Sequence, residues 1–115
     1  MSNEQVTIFD VVPNENQPDF RKMTEKEIMH QIEISTGIIL NETGIEGVYG
    51  NKVYRAKVGE KNGVDIHLSK YVTKDREGEP FISCDMWKNK GNEGRCQGCD
   101  SIEQVVDLIR EYLLK

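Results

Sequence analysis

Apolar residues recur at every second position between Lys52 and Trp87, whereas on both sides of that stretch they recur at helical spacing. In Lys52 to Val58, Tyr54, Ala56 and Val58 share one parity, and Val53, Arg55 and Lys57 the other. Asn62-Gly63 supplies a hairpin turn. Val64, Ile66, Leu68 and Val72 then oppose Asp65, His67, Ser69 and Tyr71. After a turn over Thr73 to Glu79, Ile82, Cys84 and Met86 oppose Phe81, Ser83, Asp85 and Trp87. The pattern predicts a three-stranded antiparallel meander with one apolar face.

Helices are predicted before and after it. Thr24-Glu25-Lys26-Glu27 is a capping box, Ile28, Met29, Ile32 and Ser35 fall on one helical face, and Gly37 suits a left-handed end. Ile38 to Leu40 begins an extended segment, and the glycine-punctuated stretch Asn41 to Asn51 reads as a loop or irregular hairpin. A polar loop follows Trp87. Asp100 or Ser101 then caps a last helix with Ile102, Val105, Val106, Ile109 and Leu113 as its apolar stripe. Each helix has one stripe to bury, so both belong on one face of the sheet. The expected class is α+β in the order α-β-β-β-α.

Upstream, Val6 to Val12 is rich in β-branched residues and stops at Pro13, which predicts an extra N-terminal edge strand, an arm on its own domain, or a segment that docks on a partner. Asn14 to Phe20 reads as a linker. The organisation expected is an arm and linker over 1–22 and one α+β domain over 23–115, within the ordinary size of a single domain.

Charge refines this picture. Residues 1–51 carry nine acids and three bases, giving −6; residues 52–95 carry seven acids and ten bases, giving +3; residues 96–115 carry four acids and two bases, giving −2. The acids are too sparse for a nucleic-acid mimic, and the bases lack the concentrated face of a nucleic-acid binder. The first residues have neither the basic start nor the apolar run of a signal peptide, and no apolar stretch approaches a membrane span. A cytoplasmic protein is expected, with no membrane partner.

Little local chemistry is legible. Cys96-Gln97-Gly98-Cys99 with Cys84 offers three ligands of a zinc quartet, but His67 falls on the face opposite Cys84 and His30 lies on the first helix. Free thiols and no cofactor are therefore expected, with Cys84, Cys96 and Cys99 the ligands if zinc binds. A redox pair would place its first cysteine at a helix start, whereas here the second, Cys99, abuts the helix, whose amides could lower its pKa. Asp65 with His67, and His30 with Glu33, are acid-base pairs without a third partner. The glycines form no phosphate-binding sequence. By contrast, Arg55, Lys57, Asp65, His67, Tyr71, Phe81 and Trp87 all fall on the face away from the helices, and aromatics mixed with arginine are the composition of interface anchors.

The element order over residues 24–114 resembles that of the double-stranded-RNA-binding domain. That family reads phosphates with lysines at the start of its second helix, where this chain has Asp100-Ser101-Ile102-Glu103-Gln104, so the resemblance implies a related layout used for protein contacts. In length, acidic ends and capped helices about a small sheet, the chain also resembles small accessory proteins of phages and integrative elements of Gram-positive bacteria, a group that includes anti-CRISPR proteins. That resemblance implies stoichiometric inhibition of a host nuclease, such as a CRISPR nuclease, without turnover. The expected function is thus a non-enzymatic protein-binding inhibitor or adaptor. The alternatives are a nucleic-acid module using the +3 central region, and a small structural zinc protein.

Overall fold

The structure, a computed structural model, describes residues 19–115. The Val6 to Val12 segment lies outside the described residues. Chain order is a 3-10 turn (Phe20–Lys22), helix α1 (Glu25–Thr36), strands β1 (Asn41–Glu46), β2 (Lys52–Val58), β3 (Asn62–Lys70) and β4 (Pro80–Lys88), a second 3-10 turn (Asn89–Gly91), strand β5 (Glu93–Cys99), and helix α2 (Ile102–Tyr112). The class is α+β. The five strands form one antiparallel sheet in the order β1-β2-β3-β4-β5, a meander of hairpins.

The period-two alternation decides which face is buried. Tyr54, Ala56, Val64, Ile66, Ile82, Cys84 and Met86 point into the core, in register across β2, β3 and β4. The helices lie over this face. From α1 come Ile28, Met29 and Ile32; from α2 come Val105, Leu108 and Ile109, followed by Leu113. Helix termini follow the sequence signals. Thr24 Oγ1 accepts from Glu27 N at 3.2 Å while the Glu27 carboxylate accepts from Thr24 N at 2.8 Å, closing the capping box. Gly37 ends α1 at φ 81°, in the left-handed region. Ser101, rather than Asp100, is the α2 cap, accepting from Gln104 N at 3.1 Å. Arg110 joins the two helices by donating to the Ser35 carbonyl at 2.5 Å.

Three expectations are corrected. The meander has five strands, because β1 and β5 form from segments read as loop or irregular hairpin and as polar loop. β1 does carry an irregularity, a register shift between Glu42 and Glu46 with Gly44 at φ 85°. Phe20, assigned to the linker, is buried in the core. Ile38 and Leu40 are buried in the connector that leads from α1 into β1. Val72 lies past the end of β3 and is 78% exposed, since the alternation that would have buried it stops at Lys70.

The α2 stripe completes the core, and each large aliphatic side chain buried there contributes on the order of 1.5 to 3 kcal/mol against a typical net stability of about 5 to 15. Ile109 has no exposure at all. Ile109→Asp is therefore expected to abolish cooperative thermal unfolding followed by circular dichroism. A sharp melt close to the wild-type midpoint would show that α2 is not integral to the fold.

Candidate functional site: the open face of the sheet

All seven residues singled out from the sequence lie on the sheet face away from the helices or just beyond its strands. They fall into two clusters. Arg55 and Asp65, opposite one another on β2 and β3, form a two-pronged ion pair, with Nε to Oδ1 at 2.7 Å and Nη2 to Oδ2 at 2.9 Å. The same guanidinium lies 5.5 Å from the centre of the Trp87 ring. The hydrogen bond to Asp65 raises the Arg55 pKa further, so this cation is permanent. Trp87 sits opposite Gly63 and lies flat across it: a Cβ placed on Gly63 would come within 2.3 Å of the indole. Only glycine leaves room for the ring.

The second cluster occupies the other end of β4. Tyr71 and Phe81 pack with ring centres 4.5 Å apart, and Phe81 covers Gly98, where a Cβ would fall 2.9 Å from the ring. Arg76 stacks on Tyr71 with its guanidinium carbon 4.1 Å from the ring centre. It also donates to both oxygens of Asp100, at 2.8 and 3.2 Å, while the Tyr71 hydroxyl donates to Asp100 Oδ1 at 3.0 Å. These hydrogen bonds, Arg76's foremost, hold the Asp100 carboxyl below the usual carboxylate range against the opposing effect of burial. Burial, then the Asp100 contact, pushes the Tyr71 phenol up. Neither Arg76 nor Asp100 was among the expected residues, because each lies in a turn that alternation does not reach.

Lys57 and His67 do not join these clusters. Lys57 is exposed beside a groove shared with Ile39, Asn41 and Thr43. His67 lies beneath Gly47 of the β1–β2 connection, where a Cβ would come within 3.1 Å of its ring, so the glycine-rich loop covers this part of the face. No hydrogen bond joins His67 to Asp65, whose oxygens are held by Arg55. His30 and Glu33 approach to 3.7 Å on the outside of α1. The β1–β2 tip exposes Ile45, Val48 and Tyr49, the last beneath the Lys70 ammonium at 5.6 Å.

The cysteine hook is undone by β5. Residues three apart on a strand face opposite ways, so Cys96 is exposed on the open face and Cys99 is buried in the core. Cys84 is buried on the core side too. Among the described residues no group of three or more His, Cys, Asp or Glu side chains is arranged to hold a metal ion. Burial pushes the Cys84 thiol up to about 12 and the Cys99 thiol up to about 11, which overrides the lowering expected from the helix amides. Among the described residues no helix is long and apolar enough to cross a membrane.

Comparison with protein-family models, with curated proteins and with solved structures finds no match to this chain.

Two outcomes follow from the geometry. An aromatic disulfide reagent near neutral pH should modify Cys96 rapidly, while Cys84 and Cys99 react only as fast as the fold opens, since the thiolate is the nucleophile. Rapid modification of all three in the folded protein would show the core face to be accessible. For Asp100, a depressed folded pKa means stability that is present above the unfolded value of about 3.9 and is lost as pH falls through the lower folded value. Because the carboxylate is 41% exposed, screening keeps that contribution within about 1 kcal/mol. Urea unfolding of Asp100→Asn should show a deficit of that size at neutral pH that shrinks as the buffer is taken toward pH 2. A deficit independent of pH would assign it to packing instead of charge.

Proposed function

We propose that the protein is a non-enzymatic, protein-binding inhibitor or adaptor that meets its partner with the open face of the sheet. The supporting observation is Trp87, half-buried on Gly63 and flanked by the Arg55–Asp65 fork, on a sheet face that neither helix covers. A tryptophan held by a glycine beneath and a guanidinium beside it loses little freedom when a partner covers it, which is what an interface anchor requires. The acid-base pairs supply no comparable support for turnover: Asp65 is engaged by Arg55, and His30 is exposed, with Glu33 its ion-pair partner among the described residues.

Charge favours a protein partner over nucleic acid. The Arg55 cation of the face is already neutralised by Asp65, and Asp85 stands directly across from Asp65. A phosphate backbone laid along this row would meet a carboxylate. In its most concrete form, suggested by resemblance to mobile-element accessory proteins, the function is anti-defence: a cytoplasmic inhibitor occupying a host nuclease such as a CRISPR nuclease.

Trp87→Ala tests the assignment. The variant is expected to stay folded, with its melting midpoint lowered by only a few degrees, and to lose about tenfold or more in partner affinity. Affinity capture with wild type and variant, followed by mass spectrometry, identifies partners that depend on Trp87, and titration calorimetry then measures the loss. Partners retained equally by both proteins would remove the face from the interface. A mobility shift on nucleic acid that collapses as salt rises would favour a phosphate contact instead.

A further inference from the structure

The two edges of the sheet are not equivalent. β1 is protected against pairing by its register shift and by Gly44 in a left-handed conformation. β5 pairs with β4 residue for residue from Glu93 to Cys99 without a bulge, and it is the last strand in the sheet. Its second edge therefore carries a regular row of backbone donors and acceptors that no described strand uses.

The side chains beside that edge are equally regular. On the open face β5 presents Gly94, Cys96 and Gly98, all exposed and all small. Behind them on β4 stand Trp87 opposite Gly94, Asp85 opposite Cys96, and Phe81 leaning over Gly98. Asp85 is exposed, makes no ion pair among the described residues, and faces Asp65 directly across the ladder. Like charges opposite one another destabilise a sheet, and Arg55 neutralises Asp65 alone. The uncompensated carboxylate lies about two strand spacings from any strand added at the edge, with only Cys96 between.

We propose that β5 receives an extended, basic segment of the partner protein as a sixth strand. One lysine or arginine side chain of that segment crosses Cys96 to reach Asp85. Of the apolar side chains two residues to either side, one fills the open space over Gly94 beside Trp87 and the other packs on the Phe81 ring that covers Gly98. Backbone pairing supplies the affinity of such strand addition and the alternate side chains its specificity, so the recognised pattern is apolar-x-basic-x-apolar. This inference rests on the reading of the open face as an interface and adds the chemical class of the partner.

The test uses the full chain and a fluorescein-labelled peptide, Ser-Thr-Leu-Thr-Arg-Thr-Leu-Thr-Ser, followed by anisotropy with Trp87 emission as a second signal. Saturable binding below about 1 mM is expected, weakened about tenfold or more when the peptide arginine becomes glutamate or when Asp85→Asn is introduced. Asp85→Asn should also raise the melting midpoint, since it relieves the repulsion with Asp65. Gly94→Val is the decisive variant. A Cβ there meets nothing closer than the Met86 carbonyl at 3.5 Å, so the fold accepts it, yet the side chain fills the space the peptide needs. Binding should vanish while the melt is retained.

Absence of saturable binding, or binding indifferent to Gly94→Val or to Asp85→Asn, would overturn the proposal. So would a concentration-dependent doubling of mass in sedimentation that Gly94→Val abolishes, which would place a second copy of this chain on the edge. Failure here leaves the broader reading standing if captured partners still depend on Trp87. Partners insensitive to Trp87→Ala would remove the face itself.

Discussion

Two helices can cover one face of a five-stranded sheet and no more. Helices about 10 Å wide lie over strands about 4.8 Å apart, and the sheet side chains they bury come from β2, β3 and β4, with Cys99 from β5 and none from β1. Everything else in the molecule follows from that one-sided cover. The alternation in β2, β3 and β4 must send Ile66, Cys84 and Met86 inward without a lapse, because a slip of one residue would place Asp65 and Asp85 in the core. It must also leave the opposite face able to exist in water.

That face is stabilised from within. Trp87 recovers apolar contact by lying on Gly63, and Phe81 does the same on Gly98, so each ring borrows the space of a missing Cβ across the ladder. Glycine is an unfavourable strand residue by roughly 0.5 to 1 kcal/mol relative to alanine, and the rings resting on these two offset that loss. The polar groups are held in the same economical way. Arg55 satisfies Asp65, and Asp100 accepts from both Arg76 and Tyr71, tying the β3–β4 turn to the start of α2. These contacts make the surface rigid without making it apolar. Rigidity matters for recognition, since side chains already fixed cost little further entropy on binding.

The parts of this design that obey a period were legible in the sequence. Strand alternation assigned the two faces of β2, β3 and β4, and helical spacing with a capping box located α1 and the buried side of α2. The parts that depend on contacts between distant residues were not legible. β1 and β5 are rich in glycine and polar residues, and their strand character comes from the neighbours they pair with rather than from propensity. The same blindness hid the fate of Cys96 and Cys99: as a loop their spacing suggests a metal hook, and as a strand it separates them to opposite faces. Phe20 is a further case, an aromatic among prolines and polar residues whose burial depends on a core that no local window contains. The clusters around Trp87 and Tyr71 were half visible, because alternation supplied the aromatic rings while their supports, Gly63, Gly98, Arg76 and Asp100, lie on other strands or in turns.

The most telling feature of the open face is an arrangement that folding alone would disfavour. Three of its ionised groups form the row Arg55, Asp65, Asp85, with one cation set against two carboxylates. An asparagine at 85 would fit the same position on β4 without the repulsion, and a lysine would extend the ion pair. The cost is small on an exposed surface, yet it lies beside an edge that no described strand pairs and a run of small residues that leaves the carboxylate accessible from that side. Edges of this regularity are usually blunted by a bulge, as β1 is, or by inward-pointing charge. β5 carries its charges, Glu93 and Arg95, on the core-side parity, which guards that side of the edge, and leaves the open side to Gly94, Cys96 and Gly98. An edge left bare on its open side next to an unneutralised acid is a liability for a protein that acts alone, and a recognition element for one that acts by pairing.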